Sequence, residues 1–358
     1  MSSEPKATLK SVRSAVEEEL SIFLNFESAY LNTISTELSP VSDALTAFLL
    51  DSGKRLRPLF AYAGFAAAGG SLEKPVVRAM SALELLQACA LIHDDLMDGS
   101  DTRRGKPSIH RHFETMHVQD QLDGFAPQYG VSAAVLLGDL ALVWSDQMLN
   151  SAGLTTEQFA RVFPYYNEMR VELMAGQFLD IHEQTQKTTS VDRSMKIARY
   201  KSGKYTIERP LHLGAAMTSD TSPEIFAALS AYGLPLGEAF QLRDDLLGVF
   251  GDPTVTGKPA GDDLREGKRT VLIAMTNDRQ SEAQREIARK HFGKPDLDAQ
   301  GVAALQEIIE STGARAELES TIERLTDAAL AAAESSLFTN DGKALLVELA
   351  NIATKRSA

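Results

Sequence analysis

Apolar residues recur at helical spacing along most of the chain. Leu20, Phe23, Leu24, Tyr30 and Leu31 mark an early helix. Further helices are predicted over residues 73–98, 131–151, 155–184, 192–218 and 222–250, separated by Gly, Pro, Ser and Thr breaks. The pattern over residues 269–355 predicts shorter amphipathic helices at the periphery of a domain. The pattern therefore predicts an all-α fold.

The breaks between these helices differ in strength. Pro75 suits the first turn of the helix over 73–98. Residues 251–261, with two prolines and three glycines, are the strongest loop signal in the chain. Residues 119–130 form a long connection, either a cover over a site or a tolerated insertion. No linker divides the chain, so we expect one domain over 11–355, with residues 1–10 and the last few frayed.

Composition narrows the possible partners and the compartment. The 358 residues include 36 Lys and Arg against 49 Asp and Glu, a formal net charge of −13. This balance argues against a nucleic-acid partner or an anionic membrane surface. The apolar stretch 131–144 is too short for stable membrane insertion, and no signal peptide is visible. The single cysteine fits a reducing compartment, so we expect a cytoplasmic protein.

Two acidic clusters follow mostly apolar helical stretches. The first contains Asp94, Asp95 and Asp98, and the second contains Asp244 and Asp245. At helical pitch, Asp94 and Asp98 lie one turn apart on one face. Crowded carboxylates repel one another unless a cation lies between them, and Mg²⁺ prefers carboxylate and phosphate oxygens. One such pair alone would more often be solvated surface, but two predict a metal-bridged diphosphate site.

Basic residues accompany both clusters. Arg103 and Arg104 follow the first cluster directly, and two adjacent arginines point different ways, so each suits a different phosphate. The segment Gly53-Lys-Arg-Leu-Arg-Pro58 lies at a predicted helix start, where backbone N–H groups favour an anion. Helical i, i+3 spacing predicts that Lys54 and Arg57 share one side and that Arg55 points elsewhere.

These motifs resemble those of the trans-isoprenyl (polyprenyl) diphosphate synthases, and most of all the bacterial geranylgeranyl diphosphate synthases. The resemblance covers about residues 45–275. It includes Gly53-Lys-x-x-Arg-Pro58, Asp94-Asp-x-x-Asp98 with Arg103-Arg-Gly105, Gly176-Gln-x-x-Asp180, Lys201-Ser202, Phe240-Gln-x-x-Asp-Asp245, and Gly257-Lys258 through Gly267-Lys268. It implies a large helical bundle around a deep central cavity, commonly as a homodimer.

The resemblance also implies a role for each matching residue. Three Mg²⁺ ions would be held by Asp94, Asp95, Asp98, Asp244 and Asp245. The allylic diphosphate (dimethylallyl, geranyl or farnesyl) would be bound by Arg103, Lys201 and Lys258. Isopentenyl diphosphate would be bound by Lys54, Arg57, Gln87 and Arg104. Ser202, where Thr is usual, and Gln241 would face the developing cation, and Lys268 would help to close the site.

Gly248 departs from the family pattern, because many members have a third Asp there. Metal binding would then depend on Asp244 and Asp245. Two rival interpretations fit less well. A class I terpene cyclase would not need Lys54 and Arg57 for a second diphosphate. A non-catalytic subunit of a heteromeric synthase usually loses one acidic cluster, whereas this chain keeps both.

The residues before the first cluster bear on product length. In this family the growing tail runs past the helix that carries that cluster. Cys89 and Ala90, five and four residues before Asp94, are small and lie about one turn deeper. The tail would therefore pass this level and stop lower, against Leu86 or a neighbouring helix. We expect a geranylgeranyl product; longer-chain and farnesyl synthases are the alternatives.

Overall fold

The computed structural model describes residues 4–51, 53–186, 188–219, 221–252 and 261–355. They form two compact units, one comprising Met1–Tyr62 and Ser71–Phe159 and the other Ala63–Gly70 and Ala160–Ala358. Apart from one small hairpin, the regular secondary structure in the described residues is helical, so the all-α prediction is confirmed. The single domain over 11–355 stays a prediction.

The first unit packs its helices around α4, whose middle is almost wholly buried. Pro75 lies in the first turn of α4, as its position predicted. α4 packs along α6 and α1, and α5 packs on α6. Residues 36–38 form a 3₁₀ turn before α2. The elements are α1 (Pro5–Ile34), α2 (Ser39–Leu50), α3 (Leu56–Ala67, which continues into the second unit), α4 (Lys74–Met97), β1 (Thr102–Arg103), β2 (Lys106–Pro107), α5 (Ile109–Gln119) and α6 (Ala126–Asn150).

The second unit is built around α10, which packs against the segment 198–208 and a later helix, α15. Turns of the segment Ala198–Glu208 are wide, of the π-helical type. The elements are α7 (Thr156–Gln184, which begins in the first unit), α8 (Val191–Ile197), the π-helical segment, α9 (Arg209–Ala216), α10 (Pro223–Phe250), α11 (Asp262–Glu266), α12 (Val271–Arg279), α13 (Glu282–His291), α14 (Ala299–Ser311), α15 (Ala314–Ala333) and α16 (Asn340–Thr354).

Three sequence predictions differ from the structure. The expected frayed tail is helical from Pro5, because Leu9 and Val12 are buried. The expected loop over 119–130 shrinks to residues 120–125. Gly130, at the end of the expected loop, lies within α6; a Cβ there would lie 2.2 Å from the carbonyl oxygen of His110, so the glycine lets α6 pack on α5. The helix predicted over 192–218 is interrupted by the π-helical segment.

Within the part of the chain that the structure describes, two helices are long and apolar enough to cross a membrane by length and composition alone. They are α4 and α6, with mean hydropathy 1.4 and 1.3 over their most apolar windows. Core helices of soluble proteins pass the same test, and 72% of the α4 window is buried. Only 28% of the α6 window is buried, and α6 exposes Val135, Leu136 and Val143.

Candidate active site

The first acidic cluster lies at the C-terminal end of α4. The amide of Asp98 donates to the carbonyl oxygen of Asp94 at 2.8 Å, so the last helical turn brings the two residues together. Asp94 and Asp98 are half-buried, whereas Asp95 is 1% exposed. Helical geometry places Asp94 and Asp98 on one face and turns Asp95 about a quarter of a turn away. The predicted pair is therefore formed.

Asp95 holds an arginine. Arg103 donates from Nε and Nη2 to the two carboxylate oxygens of Asp95, at 2.6 and 2.5 Å, and its Nη2 lies 3.6 Å from Asp94 Oδ2. Burial opposes the charge of this guanidinium, but the hydrogen bonds and the charges of Asp95, Asp94 and Asp98 raise its pKa. Arg103 is thus fixed as a cation beside the acidic pair. The assignment of Asp95 as a metal ligand stays a prediction.

Arg103 and Arg104 belong to a two-stranded hairpin that helical periodicity did not predict. β1 and β2 are antiparallel, with Arg103 opposite Lys106. Arg104 and Gly105 have φ of 53° and 75°, the left-handed pair that a tight two-residue hairpin turn requires. The turn separates the two arginines as predicted, because Arg104 donates from Nη1 to the carbonyl oxygen of Asp51 at 2.8 Å.

The basic segment 53–58 lies at the start of α3, as predicted, but its local geometry differs from the prediction. α3 begins at Leu56, so Lys54 precedes the helix and helical spacing does not relate it to Arg57. Arg55 has a φ of 52°, in the left-handed region. Lys54 is exposed, Arg57 is half-buried and Arg55 is buried. Arg55 therefore points away from the other two by a sharp turn of the backbone.

Asp51 connects the basic segment to the hairpin. Its carboxylate lies 2.7 Å from the Lys106 Nζ, which lowers the pKa of Asp51, and its carbonyl accepts from Arg104. Asp51 thus joins two segments that carry residues assigned to isopentenyl diphosphate. The basic segment contains Lys54 and Arg57, and the hairpin contains Arg104.

The second half of α4 leaves His93, Leu96 and Met97 partly or largely accessible and also has one partly accessible face. The spacing i, i+3, i+4, i+7, i+11 shows that the positions of this face form a single stripe. The stripe consists of Gln87, Ala90, Leu91, Asp94 and Asp98. Of the residues predicted to limit product length, Ala90 lies in the stripe, whereas Leu86 and Cys89 are fully buried. The stripe leads from the acidic pair toward the N-terminal half of the helix.

Cys89 is held inside the first unit and is not suited to nucleophilic chemistry. Its Sγ lies 3.8 Å from His93 Nδ1, and His93 Nε2 lies 3.2 Å from the Val135 carbonyl oxygen on α6. Burial, with a smaller contribution from Asp139, raises the pKa of Cys89 to about 12. The thiol therefore stays protonated at neutral pH and acts as a buried packing residue.

The second unit brings together two motifs that the sequence left apart. Lys201 Nζ donates to Asp180 Oδ2 at 2.6 Å. A Cβ at Gly176 would lie 2.3 Å from the Lys201 backbone nitrogen, so the glycine lets α7 approach the π-helical segment. The next residue, Ser202, is half-buried in that segment. The wide helical turns therefore place Lys201 beside α7.

The second acidic cluster contains a buried carboxyl group. Gln241 donates from its amide to Asp245 Oδ1 at 2.8 Å. Asp245 is 5% exposed, and burial, followed by the charges of Asp263, Asp244 and Asp180, raises its pKa to about 8. Such a group is stabilised as a carboxylate when a cation comes close. Asp244, one residue earlier, is half-buried.

Asp263 is an acidic residue that sequence reasoning missed. It lies in α11, and its Oδ2 would be 1.9 Å from a Cβ at position 248. The Asp263 carboxylate thus occupies the space that a side chain at Gly248 would need. Lys268 Nζ lies 3.6 Å from Asp263 Oδ1 and 2.6 Å from Glu266 Oε2. The departure at Gly248 therefore coincides with a carboxylate supplied by another helix.

The donor chemistry fits Mg²⁺. Its usual protein ligands are one or two carboxylates, completed by water and substrate phosphate oxygens, and each unit offers an adjacent carboxylate pair. Among the described residues, no three acidic, histidine or cysteine side chains converge as a metal site. Lys258, assigned to the allylic diphosphate, lies outside the described residues.

Comparison with known proteins identifies the family. The family model described as polyprenyl synthetase matches residues 39–309. The chain belongs to the polyprenyl synthetase family. The matched range contains every site residue assigned above, and the resemblance inferred from the motifs is confirmed.

Two relatives and one solved structure are similar to this chain in sequence or fold. Geranylgeranyl diphosphate synthase of Mycobacterium tuberculosis is 32% identical over 308 residues, covering 85% of this chain and 80% of the relative. Geranylfarnesyl diphosphate synthase of Aeropyrum pernix is 33% identical, covering 65% and 69%. A crystal structure of geranylgeranyl pyrophosphate synthase from Corynebacterium glutamicum, complexed with isoprenyl diphosphate and magnesium, is 42% identical, with a TM-score of 0.94, covering 98% and 99%.

In this polyprenyl synthetase, the residues that sequence reasoning missed are those that hold the predicted ones. Asp51 joins two basic segments, Glu84 pairs with Arg55, and Asp263 lies against Gly248. A signal was present for Asp263, which stands between the motif glycines 257 and 267 beside Lys268. Asp51 and Glu84 carry no such signal, because their partners, in the hairpin and in the turn before α3, are distant in sequence.

Proposed function

We propose that this protein is a Mg²⁺-dependent prenyltransferase that condenses isopentenyl diphosphate head-to-tail with allylic diphosphates and releases geranylgeranyl diphosphate. The accessible stripe of α4 carries the proposal, because it joins the acidic pair Asp94 and Asp98 to the small residue Ala90 on one helix face. The names of the relatives in Mycobacterium tuberculosis and Corynebacterium glutamicum support the same product.

The carboxylates would hold the metal in two groups. Asp94 and Asp98, with Asp95 in support, would form one group, and Asp244 and Asp245 the other. When bound, three Mg²⁺ ions would stabilise the negative charge that accumulates on the diphosphate leaving group. Asp263 adds a further carboxylate beside Asp245, in place of the third Asp that the sequence lacks.

The basic residues would divide the two substrates between them. Arg103, held by Asp95, would bind the allylic diphosphate together with Lys201 and Lys258. A guanidinium has five N–H donors, so Arg103 has enough to serve Asp95 and a phosphate together. Lys54, Arg57, Gln87 and Arg104 would bind isopentenyl diphosphate, and Lys268 would help to close the site.

The carbon chemistry needs no protein nucleophile. Ionisation of the allylic C–O bond leaves an allylic cation, and the isopentenyl double bond attacks it. A proton is then lost, and the released diphosphate accepts it. Ser202 and Gln241 would face the cation, with the Gln241 amide oriented by its hydrogen bond to Asp245. Water must be excluded, because it would capture the cation.

A cytoplasmic homodimer is the expected state. On α6, Leu136 is 65% exposed and Val143 is 58% exposed. The two residues are seven positions apart, about two helical turns, and therefore lie on the same face. Burial of this apolar face by a second copy would stabilise a dimer by removing it from water.

The test is product analysis with purified protein. Isopentenyl diphosphate is supplied with dimethylallyl, geranyl or farnesyl diphosphate, and the products are separated by chain length. We expect a twenty-carbon diphosphate from each starter. A longer product would support the alternative that the geranylfarnesyl relative suggests. A cyclised hydrocarbon made without isopentenyl diphosphate would indicate a terpene cyclase, and inactivity of the protein alone would indicate a non-catalytic subunit.

A further inference from the structure

Arg55 occupies the centre of the basic segment but does not share its exposure. Lys54 is exposed and Arg57 half-buried, whereas Arg55 is 4% exposed. Its φ of 52° lies in the left-handed region, which non-glycine residues adopt at an energetic cost. A costly backbone conformation persists where surrounding contacts enforce it. The contacts of this side chain are therefore the natural explanation.

The guanidinium of Arg55 joins the start of α3 to three other helices. Nη1 donates to Glu84 Oε2 on α4 at 2.9 Å, and Nη2 donates to the Leu49 carbonyl oxygen near the end of α2 at 2.6 Å. Nε lies 3.6 Å from Glu17 Oε1 on α1. Both side chains of the Arg55–Glu84 pair are almost wholly buried, at 3% and 8% exposed. A buried pair of this kind is strongly disrupted when one partner is removed.

The backbone on both sides of Lys54 depends on this guanidinium. On one side, a Cβ at Gly53 would lie 3.0 Å from Arg55 Nη1, so the chain passes directly over the buried group. On the other side, the left-handed turn at Arg55 sends the chain into α3. Lys54 lies between these two fixed points, which keeps it on the outside of the turn.

Arg57 is fixed through the same residue. The amide of Leu59 donates to the Arg55 carbonyl oxygen at 3.1 Å, so Arg55 accepts the first hydrogen bond of α3. Arg57 is the second residue of that helix, and its direction follows from where the helix begins. A shift of Arg55 would therefore move Lys54 and Arg57 together.

We propose that the buried Arg55–Glu84 ion pair positions Lys54 and Arg57 for isopentenyl diphosphate, so that Arg55 and Glu84 control binding of this substrate without touching it. The inference depends on the proposed function, which assigns Lys54 and Arg57 to that substrate. Arg103, assigned to the allylic substrate, is held separately by Asp95. The ion pair should therefore affect one substrate and spare the other.

The test compares Glu84→Gln, Arg55→Lys and Arg55→Asn with the wild type in steady-state kinetics. Asn tolerates the left-handed region, so Arg55→Asn removes the guanidinium with little added strain. We expect KM for isopentenyl diphosphate to rise at least tenfold in Glu84→Gln and Arg55→Asn. The KM for isopentenyl diphosphate should rise less in Arg55→Lys, because lysine keeps the positive charge. KM for the allylic substrate should change less than twofold, and kcat at saturation less than threefold.

A matched control separates positioning from general loss of stability. Glu19 also carries a nearly buried carboxylate, which pairs with Arg78 at 3.5 Å and Lys74 at 3.4 Å near the N-terminal end of α4. Glu19→Gln should lower the thermal unfolding temperature comparably but leave both KM values unchanged. The inference is overturned if Glu19→Gln raises KM for isopentenyl diphosphate as much as Glu84→Gln does, or if Glu84→Gln raises both KM values equally.

If Arg55→Asn and Glu84→Gln do not fold, Gly53→Ala presses on the guanidinium without removing a charge and should raise the same KM about threefold. An unchanged KM in folded Gly53→Ala would then contradict the inference. If the wild type does not consume isopentenyl diphosphate, the proposed function itself is wrong. Wild-type activity with no selective change in the variants rejects the positioning role alone.

Discussion

The carboxylate of Asp263 lies where a side chain at Gly248 would project, with its Oδ2 1.9 Å from the position of a Cβ. Two residues from different helices thus share one space, and only one of them can have a side chain there. Because the charge of Asp263 acts on Asp245, the carboxylate belongs to the second acidic cluster.

Asp263 should therefore replace the missing third Asp of the motif. We expect Asp263→Asn to raise the Mg²⁺ concentration for half-maximal activity at least about tenfold, the loss of one charge-assisted contact. Gly248→Ala should displace the carboxylate and act in the same direction. Mg²⁺-dependent thermal stabilisation, measured with inorganic diphosphate, gives a readout separate from activity. Unchanged metal dependence in both variants would show that Asp263 is only structural.

Asp94→Ala and Asp244→Ala should each lower kcat by about two orders of magnitude or more, because their carboxylates would hold metal that stabilises growing charge. The measurement is turnover at saturating substrate over a Mg²⁺ titration, with an EDTA-treated sample as the metal-free reference. Asp43 is exposed on α2, so Asp43→Asn serves as the control and should leave turnover and its Mg²⁺ dependence unchanged. Turnover near wild type in either Ala variant would reject the metal assignment.

Loss of a phosphate ligand should discriminate between the substrates. Arg103→Ala should raise KM for the allylic diphosphate more than KM for isopentenyl diphosphate, and Lys54→Ala should do the opposite. Each lost charge-assisted contact is worth roughly 1.5–3 kcal/mol, or more than tenfold in KM. Both constants are measured with the other substrate saturating. Equal changes in the two constants would mean that the division of residues between sites is wrong.

Product length should respond to Ala90 more cleanly than to Cys89. Ala90 is partly accessible on the stripe of α4, whereas Cys89 is fully buried beside His93. Ala90→Phe should shorten the main product to farnesyl diphosphate with little loss of stability. Cys89→Phe should instead overpack the core and lower stability by about 1–3 kcal/mol. Chromatography of the products and thermal unfolding distinguish these outcomes. A twenty-carbon product from Ala90→Phe would show that the growing tail does not pass Ala90.

Acid should destabilise the second unit through His212. Burial, followed by the charge of Arg209, lowers the pKa of His212 from 6.5 to about 4. The unfolded chain therefore binds the proton more readily than the folded chain, and stability is lost as pH falls from about 6.5 toward 4. The linkage predicts a loss of about 2 kcal/mol between pH 7.5 and pH 5.

Urea denaturation at these two pH values tests this expectation. His212→Gln keeps a donor for the Phe226 carbonyl oxygen, which lies 3.2 Å from His212 Nε2, but does not titrate. The variant should lose less stability between the two pH values than the wild type. The same pH dependence in both proteins would assign the effect to other groups.

Local periodicity predicted most of the helices and the pairing of Asp94 with Asp98, because helical spacing is a property of neighbouring residues. It did not predict the hairpin at 102–107, whose Arg104 adopts a left-handed conformation. It also missed the π-helical segment, where Gly203 lies against Gly237 and a Cβ on either would be within 3 Å of the other. The π-helical segment depends on contact with a distant helix, which one sequence does not reveal, and the hairpin depends on a short turn that helical periodicity does not describe.

The C-terminal end of α2 has a consequence for how such enzymes diverge. Arg55 and Arg104 each donate to a main-chain carbonyl there, those of Leu49 and Asp51. Helix C-termini attract cations through their backbone dipoles, whatever side chains they carry. A change of side chain at position 49 or 51 therefore leaves both carbonyl acceptors in place, even where it removes the ion pair of Asp51 with Lys106. A mutational screen that alters side chains would overlook these two main-chain acceptors of Arg55 and Arg104.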